Sequence, residues 1–462
     1  MFRLQLRLSV ITHYTNAILV PLTTNYKSYI MSEQLALDIE KARSQFPALT
    51  DGYIYADNAG GSQCLKSVVD RISDYLLNTN VQLGADYSVS VQSTNRTAEG
   101  PKATAELINA DSADEIAFAS SSTQASENLA RAIESDILDG EEIIITGEHE
   151  ANASPWKKLA ARRGLTLKTW AHTELSSEIP NPYSVGLSLD ALLPLINSKT
   201  RLVALTACSN ILGSVVDVEK VIKAVRAEAA KQGVRKIEFC VDCVAYAPHR
   251  RIDVKKWDVD YCFFSYYKVY GPHTCALYAR AASLANSLRA LTHHFLQVDK
   301  VAYKLNPGGA GYELTYGVAG VLPYIQSLSP IGDIDDAFSR IAAHEQTLLA
   351  PLIGYLRSPQ AVSRGVRIVG SDEITLSRVP TVSFVVIGER AVRSPDIVAY
   401  FDKKEKMGIR YGHFYAYSLV VNLRPKVDID DAVVRISLVH YNTVKEVEVL
   451  VEVLKEALEA LQ

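Results

Sequence analysis

Lys268 sits in the run Phe264-Ser265-Tyr266-Tyr267-Lys268-Val269-Tyr270-Gly271-Pro272-His273, a glycine-proline turn that follows an apolar strand expected over Tyr261 to Phe264. An ammonium held among aromatic rings at a strand end loses water. Its pKa falls, and the neutral amine that attacks aldehydes becomes populated. Solvated lysines are common beside Gly-Pro turns, so the chemistry needs partners. Asp242 is the first of them, at the end of a second apolar strand, Ile237 to Val241, one strand upstream. Strand ends gather side chains along one edge of an α/β sheet, where the amine and the carboxylate can meet the same ligand. A lysine to carry an aldehyde and an anion to keep a ring nitrogen protonated are what pyridoxal phosphate requires.

The other needs of such a ligand have candidates too. Glu115 to Ala119 reads as a buried strand, Ser120 to Thr123 as a hydroxyl-rich turn, and Gln124 onward as a helix with apolar positions at Ala125, Leu129 and Ile133. A helix start of this kind, with Ser122 and Thr123 on it, suits a phosphate or serves as an ordinary cap. The run Ile143-Ile144-Ile145-Thr146-Gly147-Glu148-His149 reads as a strand ending in a histidine, whose imidazole packs or lies on a flat ring. Asn210 closes the run from Leu202 as a turn residue or as an amide donor to a phenolic oxygen.

Taken in order, these pieces resemble the class V aminotransferase group of fold-type I pyridoxal phosphate enzymes, which includes the cysteine desulfurases and desulfurase-like proteins. The resemblance opens with Tyr55-Ala56-Asp57-Asn58-Ala59-Gly60-Gly61 and closes with Val434-Arg435-Ile436-Ser437-Leu438-Val439-His440-Tyr441-Asn442-Thr443. It implies an α/β fold: a large domain with a mostly parallel, seven-stranded-type sheet, and a smaller α+β C-terminal domain. By that likeness Lys268 carries the cofactor, Asp242 partners its ring nitrogen, His149 stacks on the ring, and Asn210 meets the phenolic oxygen. Ser122, Thr123 and Ser265 hold phosphate, and Arg435 binds the substrate carboxylate with its planar donor pair. Thr315 stands where relatives reach the partner subunit's phosphate, with Leu314 in place of a glycine, and a homodimer is implied on the same ground.

Departures from the family pattern bear on the reaction. The run Arg410-Tyr411-Gly412-His413-Phe414-Tyr415-Ala416 places Tyr415 where the desulfurases carry their sulfur-accepting cysteine. The six cysteines, at 64, 208, 240, 243, 262 and 275, all lie far upstream, mostly in strands, without the exposed loop a persulfide-forming thiolate needs. Ala245 and Tyr267 replace a Gln or His and a His near the cofactor. The expected function is therefore carbanion chemistry at Cα of an amino acid, as a lyase, cyclase or aminotransferase-like enzyme. The resemblance to fungal enzymes of alkaloid pathways, loline biosynthesis among them, points to specialised small-molecule metabolism. A cysteine desulfurase and a non-catalytic scaffold with the same fold are the alternatives.

The elements that must position these residues follow from a chain of 462 residues, 48% hydrophobic and 22% charged, enough to bury a large core. A net charge of −4 gives no reason to expect nucleic acid or membrane as partner. Cys240 and Cys243 lack a second pair at zinc spacing. Residues 1–30 carry Arg3, Arg7 and Lys27 with no acid before Glu33, the composition of a mitochondrial presequence, yet Met31-Ser32-Glu33-Gln34 reads as a start. An over-extended start and a cytoplasmic home are expected. A large domain is expected over 31–320, ending in a glycine-rich linker from Asn306 to Gly320, and a small one over 321–462. The latter holds a helix from Asp335 to Leu356, strands near Val382 to Ile387 and Val433 to Val439, and a helix from Val444 to Leu461. In that last helix Val447, Leu450, Leu454, Leu458 and Leu461 form one apolar stripe.

Overall fold

Seven short segments dense in Ile, Val, Leu and Phe assemble into one sheet: β1 (Ile116–Ala119), β2 (Glu142–Thr146), β3 (Thr166–Trp170), β4 (Thr200–Thr206), β5 (Glu238–Asp242), β6 (Tyr261–Ser265) and β7 (Cys275–Ala279). The computed structural model describes residues 35–462 apart from 178, 297, 299 and 300, and the expected leader lies outside the described residues. The spatial order is β1-β7-β6-β5-β4-β2-β3. The pairs among β2 to β6 are parallel, and β7 runs antiparallel to both β6 and β1. Every residue of β1, β2, β4, β5, β6 and β7 is buried, the pattern of strands covered on both faces. With β1, β2, β4, β5 and β6 all pointing the same way, their carboxyl ends share one edge. Thr206 and Asp242 are register partners there, and Ser265 ends the next strand.

A second, antiparallel sheet contains β8 (Val366–Val369), β9 (Thr381–Val386), β10 (Arg410–Gly412) and β11 (Val433–Ser437), in the order β8-β9-β11-β10. The opening segment Ile54–Tyr55 does not join the large sheet. It pairs with Met407–Gly408, and Asn58 and Ala59 then donate to Ser437 O and Oγ at 3.1 and 2.9 Å. This clamp sets Asp57 beside Arg435 on β11.

The last helix, Val444–Leu461, has the expected bounds because Thr443 and Glu446 close a capping box, with contacts of 2.9 and 3.1 Å. Val447, Leu450, Leu454 and Leu458 are buried, whereas Leu461 is 39% exposed and falls off the stripe at the frayed end. Burying each such leucine is worth about 1.5–3 kcal/mol. The expected linker from Asn306 to Gly320 instead contains a helix, Tyr312–Val318, packed on the helix Lys66–Asn78. Its glycine serves close approach rather than flexibility, since a Cβ on Gly317 would lie 2.6 Å from Ile72 Cγ1. Beyond the expected boundary at 320, Val321, Ile325 and Ile341 still belong to the core under the large sheet. The helix Ile334–Leu356 reaches the core of the small sheet only with its second half, from Leu348 to Leu356. Among the described residues no helix is long and apolar enough to cross a membrane.

Candidate active site

A cavity of about 210 Å³ at the carboxyl edge of the large sheet is lined by Ser122, Thr123, His149, Asn210, Lys268 and Arg435, with Arg410 and Tyr415 at its rim. An adjoining recess shares Ser122, His149, Asn210 and Lys268 and adds Asp242, Ala245 and Cys208. Two larger cavities, of about 350 and 480 Å³, contain neither Lys268 nor Asp242. Chemistry rather than volume therefore marks this site. Six of the eight residues expected to meet the cofactor share its walls. Ser265 does not: it is fully buried behind them, and its hydroxyl has no partner. Thr315 is not there either. It is buried against the 480 Å³ cavity and donates to Gly311 O at 2.9 Å.

Lys268 ends a single 3-10 turn after β6, Tyr266–Lys268, and is 6% exposed. Burial, and then the nearby Arg435 charge, bring its pKa down from 10.5 to about 8, with Asp242 and Asp57 acting the other way. The Tyr267 ring lies 5.8 Å from its Nζ and stacks on His273 at 5.0 Å. Asp242, the last residue of β5, accepts from the Val244 amide at 2.9 Å. Burial raises its carboxyl from 3.8 to about 6. In the absence of a ligand, both charged forms are thus disfavoured, which is the condition a cationic ring N–H at Asp242 would relieve.

His149 lies beyond the strand end expected for it and is the N-cap of the helix Glu150–Arg163, with Nδ1 accepting from the Ala151 amide at 3.1 Å. That bond leaves the hydrogen on Nε2. Burial, then the Lys268 charge, hold the pKa of the imidazole down to about 4, so it is neutral and free to lie flat on a ring. Behind it, Glu148 is buried and accepts from His172 Nε2 and Ser209 Oγ, both at 2.8 Å, which secures the loop that carries Asn210. Asn210 Nδ2 donates to Phe414 O at 3.0 Å and keeps a second hydrogen, while its Oδ1 is buried without a partner. The helix Ser122–Ile133 begins two residues earlier than expected because Ser121 caps it, accepting from the Gln124 amide at 3.2 Å. The amides of Ser122 and Thr123 therefore belong to the open helix end, where an anion is favoured.

Arg435 is 1% exposed; Nη1 donates to Asn210 O at 3.1 Å, Nη2 to Asp57 Oδ1 at 2.9 Å, and Nε has no partner. The Phe414 ring lies 3.6 Å beneath its Cζ. Phe414 and Tyr415 both adopt left-handed backbone, φ 46° and 61°. Contacts that hold this uncommon pair include Phe414 O to Asn210 and Tyr415 O to the Glu150 amide at 2.9 Å. The Tyr415 ring, 67% exposed, stands 5.6 Å from that of His149. Asp57, Arg410 and Phe414 were not foreseen as site residues. Asp57 and Arg410 had a signal in their motifs, but only folding shows that they meet. Ser265 Oγ, Asn210 Oδ1 and Arg435 Nε, three orphaned buried atoms in or behind one wall, together with the neutral-shifted Lys268 and Asp242, fit pyridoxal phosphate.

The family model of the class V aminotransferases matches residues 54–450. The chain is 40% identical to the aminotransferase-like protein FGM3 of Gibberella zeae, over 92% of this chain and 99% of that one. It is 31% identical to the cysteine desulfurase-like protein ustD of Aspergillus flavus, over 95% of each. The nonribosomal peptide synthetase-like enzyme fsqF of Aspergillus fumigatus is 32% identical over 91% of this chain, which covers 26% of that longer protein. The structure of a cysteine desulfurase from Thermococcus onnurineus superposes with a TM-score of 0.75 at 24% identity, over 92% of this chain and 98% of that one, a likeness of fold.

Proposed function

Because the chain belongs to the class V aminotransferase family of pyridoxal phosphate enzymes, we propose that it performs carbanion chemistry at Cα of an amino acid in specialised small-molecule metabolism. The observation that carries this reading is Lys268 and Asp242 in one buried recess, each displaced toward its neutral form. Lys268 would hold the cofactor's aldehyde carbon, Asp242 its ring nitrogen and His149 its face. Asn210 would meet its phenolic oxygen, and Ser122, Thr123 and Ser265 its phosphate. When bound, pyridoxal phosphate supplies an electron sink for charge at Cα. Arg435 anchors the substrate carboxylate through charge-assisted donors and thereby fixes which Cα bond faces Lys268. The Lys268 amine, with a pKa near 8, holds and moves the proton at that atom. Tyr415 offers a phenol at the rim where a desulfurase would need a thiolate, which supports a lyase, cyclase or aminotransferase-like outcome. The match to a nonribosomal peptide synthetase-like enzyme supports a biosynthetic setting. A homodimer, with Thr315 directed at a partner's phosphate, and a division into large and small domains near 320 belong to the same proposal.

The test is to incubate purified holoprotein with pools of amino acids, follow its visible absorption and identify products by mass, after locating the borohydride-trapped adduct. An adduct at Lys268 and a product other than sulfide support the proposal. A colourless protein that takes up no cofactor refutes it in favour of a scaffold. Desulfurase-named relatives favour a second reading, sulfur release from cysteine, which predicts sulfide production that depends on a cysteine of this chain.

A further inference from the structure

Arg435 poses a problem that its own pairing solves. A guanidinium buried to 1% exposure cannot be left without an anion, because removing its partner strands a charge in low dielectric. The anion in the free protein is Asp57, with Oδ1 on Arg435 Nη2 at 2.9 Å and Oδ2 facing Arg410 Nη1 at 3.4 Å. One carboxylate with an oxygen on each of two arginines, at the wall of the substrate cavity, is the arrangement a bound carboxylate would itself adopt. Gly60 leaves it the room, since a Cβ there would lie 2.7 Å from Asp57 Oδ2. Arg435 Nε has no partner, and a side-on grip through Nε and Nη2 would bring a second carboxylate onto the nitrogen that Asp57 already holds.

We propose that Asp57 is a resident stand-in for the substrate's carboxylate, displaced from Arg435 Nη2 when an α-amino carboxylate binds, and thereby sets the affinity of the site for amino acids. The inference rests on the reading of Arg435 as the carboxylate site. Two carboxylates on the same buried nitrogen repel, whereas Asp57 can stay on Arg410, whose side chain is 56% exposed and reaches solvent. An amine without a carboxylate has nothing to exchange for Asp57, so the exchange lowers the affinity for amino acids and leaves that for amines unchanged.

Titration of the holoprotein with 2-methylalanine, which has no Cα hydrogen, and with isopropylamine, its counterpart without the carboxylate, tests this by calorimetry and the shift of the visible band. If Asp57 holds Arg435 for about nine-tenths of the time, Asp57→Asn binds 2-methylalanine about tenfold more tightly and isopropylamine no more tightly. Unchanged or weaker binding of 2-methylalanine by Asp57→Asn overturns the proposal and leaves Arg435 as the carboxylate site. Unchanged binding by Arg435→Lys overturns that underlying reading, and the proposal with it. A crystal structure of the unaltered protein with 2-methylalanine decides independently of any variant's folding: Asp57 Oδ1 is expected beyond hydrogen-bond distance of Nη2, and a retained contact refutes displacement.

Discussion

Lys268→Met exchanges a buried base for a neutral side chain of similar reach, and in cofactor-free protein it should be stabilising. Burial, then the Arg435 charge, place the folded pKa at about 8 against an ordinary 10.5. Between those values the unfolded chain holds a proton that the folded chain does not, so stability rises with pH through that window. Below about pH 8 the folded protein carries the buried ammonium at full cost. A displacement of that size corresponds to ~3 kcal/mol. Asp242 loses a favourable neighbour in the variant, which makes this an upper figure. Urea unfolding of cofactor-free proteins at several pH values is the assay. The variant should exceed the unaltered protein by up to ~3 kcal/mol at pH 7, and the gap should close toward pH 10.5. Added pyridoxal phosphate should invert the order, because only the lysine can bond its aldehyde, and saturation at a thousand times Kd is worth about 4.1 kcal/mol. A Met variant that is less stable at pH 7, or a gap that ignores pH, would refute the desolvation argument.

Asp242→Asn should retain a borohydride-trapped adduct at Lys268 while kcat falls ~10²–10³-fold, because the ring nitrogen loses its anion. Without cofactor, the same variant should gain stability at pH 7. The unaltered carboxyl titrates near 6 rather than 3.8, so the folded protein loses stability as pH rises through that interval. Arg435→Lys should raise KM for the amino acid substrate about 10- to 100-fold with a smaller change in kcat, since a point charge replaces a planar fork; steady-state kinetics separate the two. Iodoacetamide at pH 7 should label native protein only at half-buried Cys64 and leave activity intact. The other five thiols are buried, and burial pushes up those of Cys208, Cys240, Cys243 and Cys275; peptide mass mapping against denatured protein reads the outcome.

The strand carrying each site residue was legible because β2, β4, β5 and β6 are continuous apolar runs that end in polar residues, the mark of a sheet covered on both faces. The last helix was legible to its bounds because Thr443 and Glu446 form a local capping box. What depended on tertiary contact was not. Glycines near 317 read as a linker, although Gly317 is small so that one helix can press on Ile72. Ser265 lies three residues before Lys268 in sequence, but in the fold it is buried outside the cavity lining and its hydroxyl has no hydrogen-bond partner. The meeting of Asp57 with Arg435 joins residues 378 apart, and no periodicity encodes it.

The electrostatics of the site explain why those distant pairings matter. Lys268, Asp242 and His149 are all pushed toward neutral forms by the same cause, removal from water, and Arg435 is held down to about 10 by burial despite Asp57. A protein that only needed stability would replace such groups with apolar ones at little cost. Keeping four of them around one small cavity makes sense if a ligand supplies the missing charges: a ring N–H for Asp242, an aldehyde for Lys268 and a carboxylate for Arg435. Asp57 is the exception that supports this reading. Of these groups the buried guanidinium, at about 10, stays furthest from its neutral form near pH 7, and it is the one that an internal carboxylate pairs with directly.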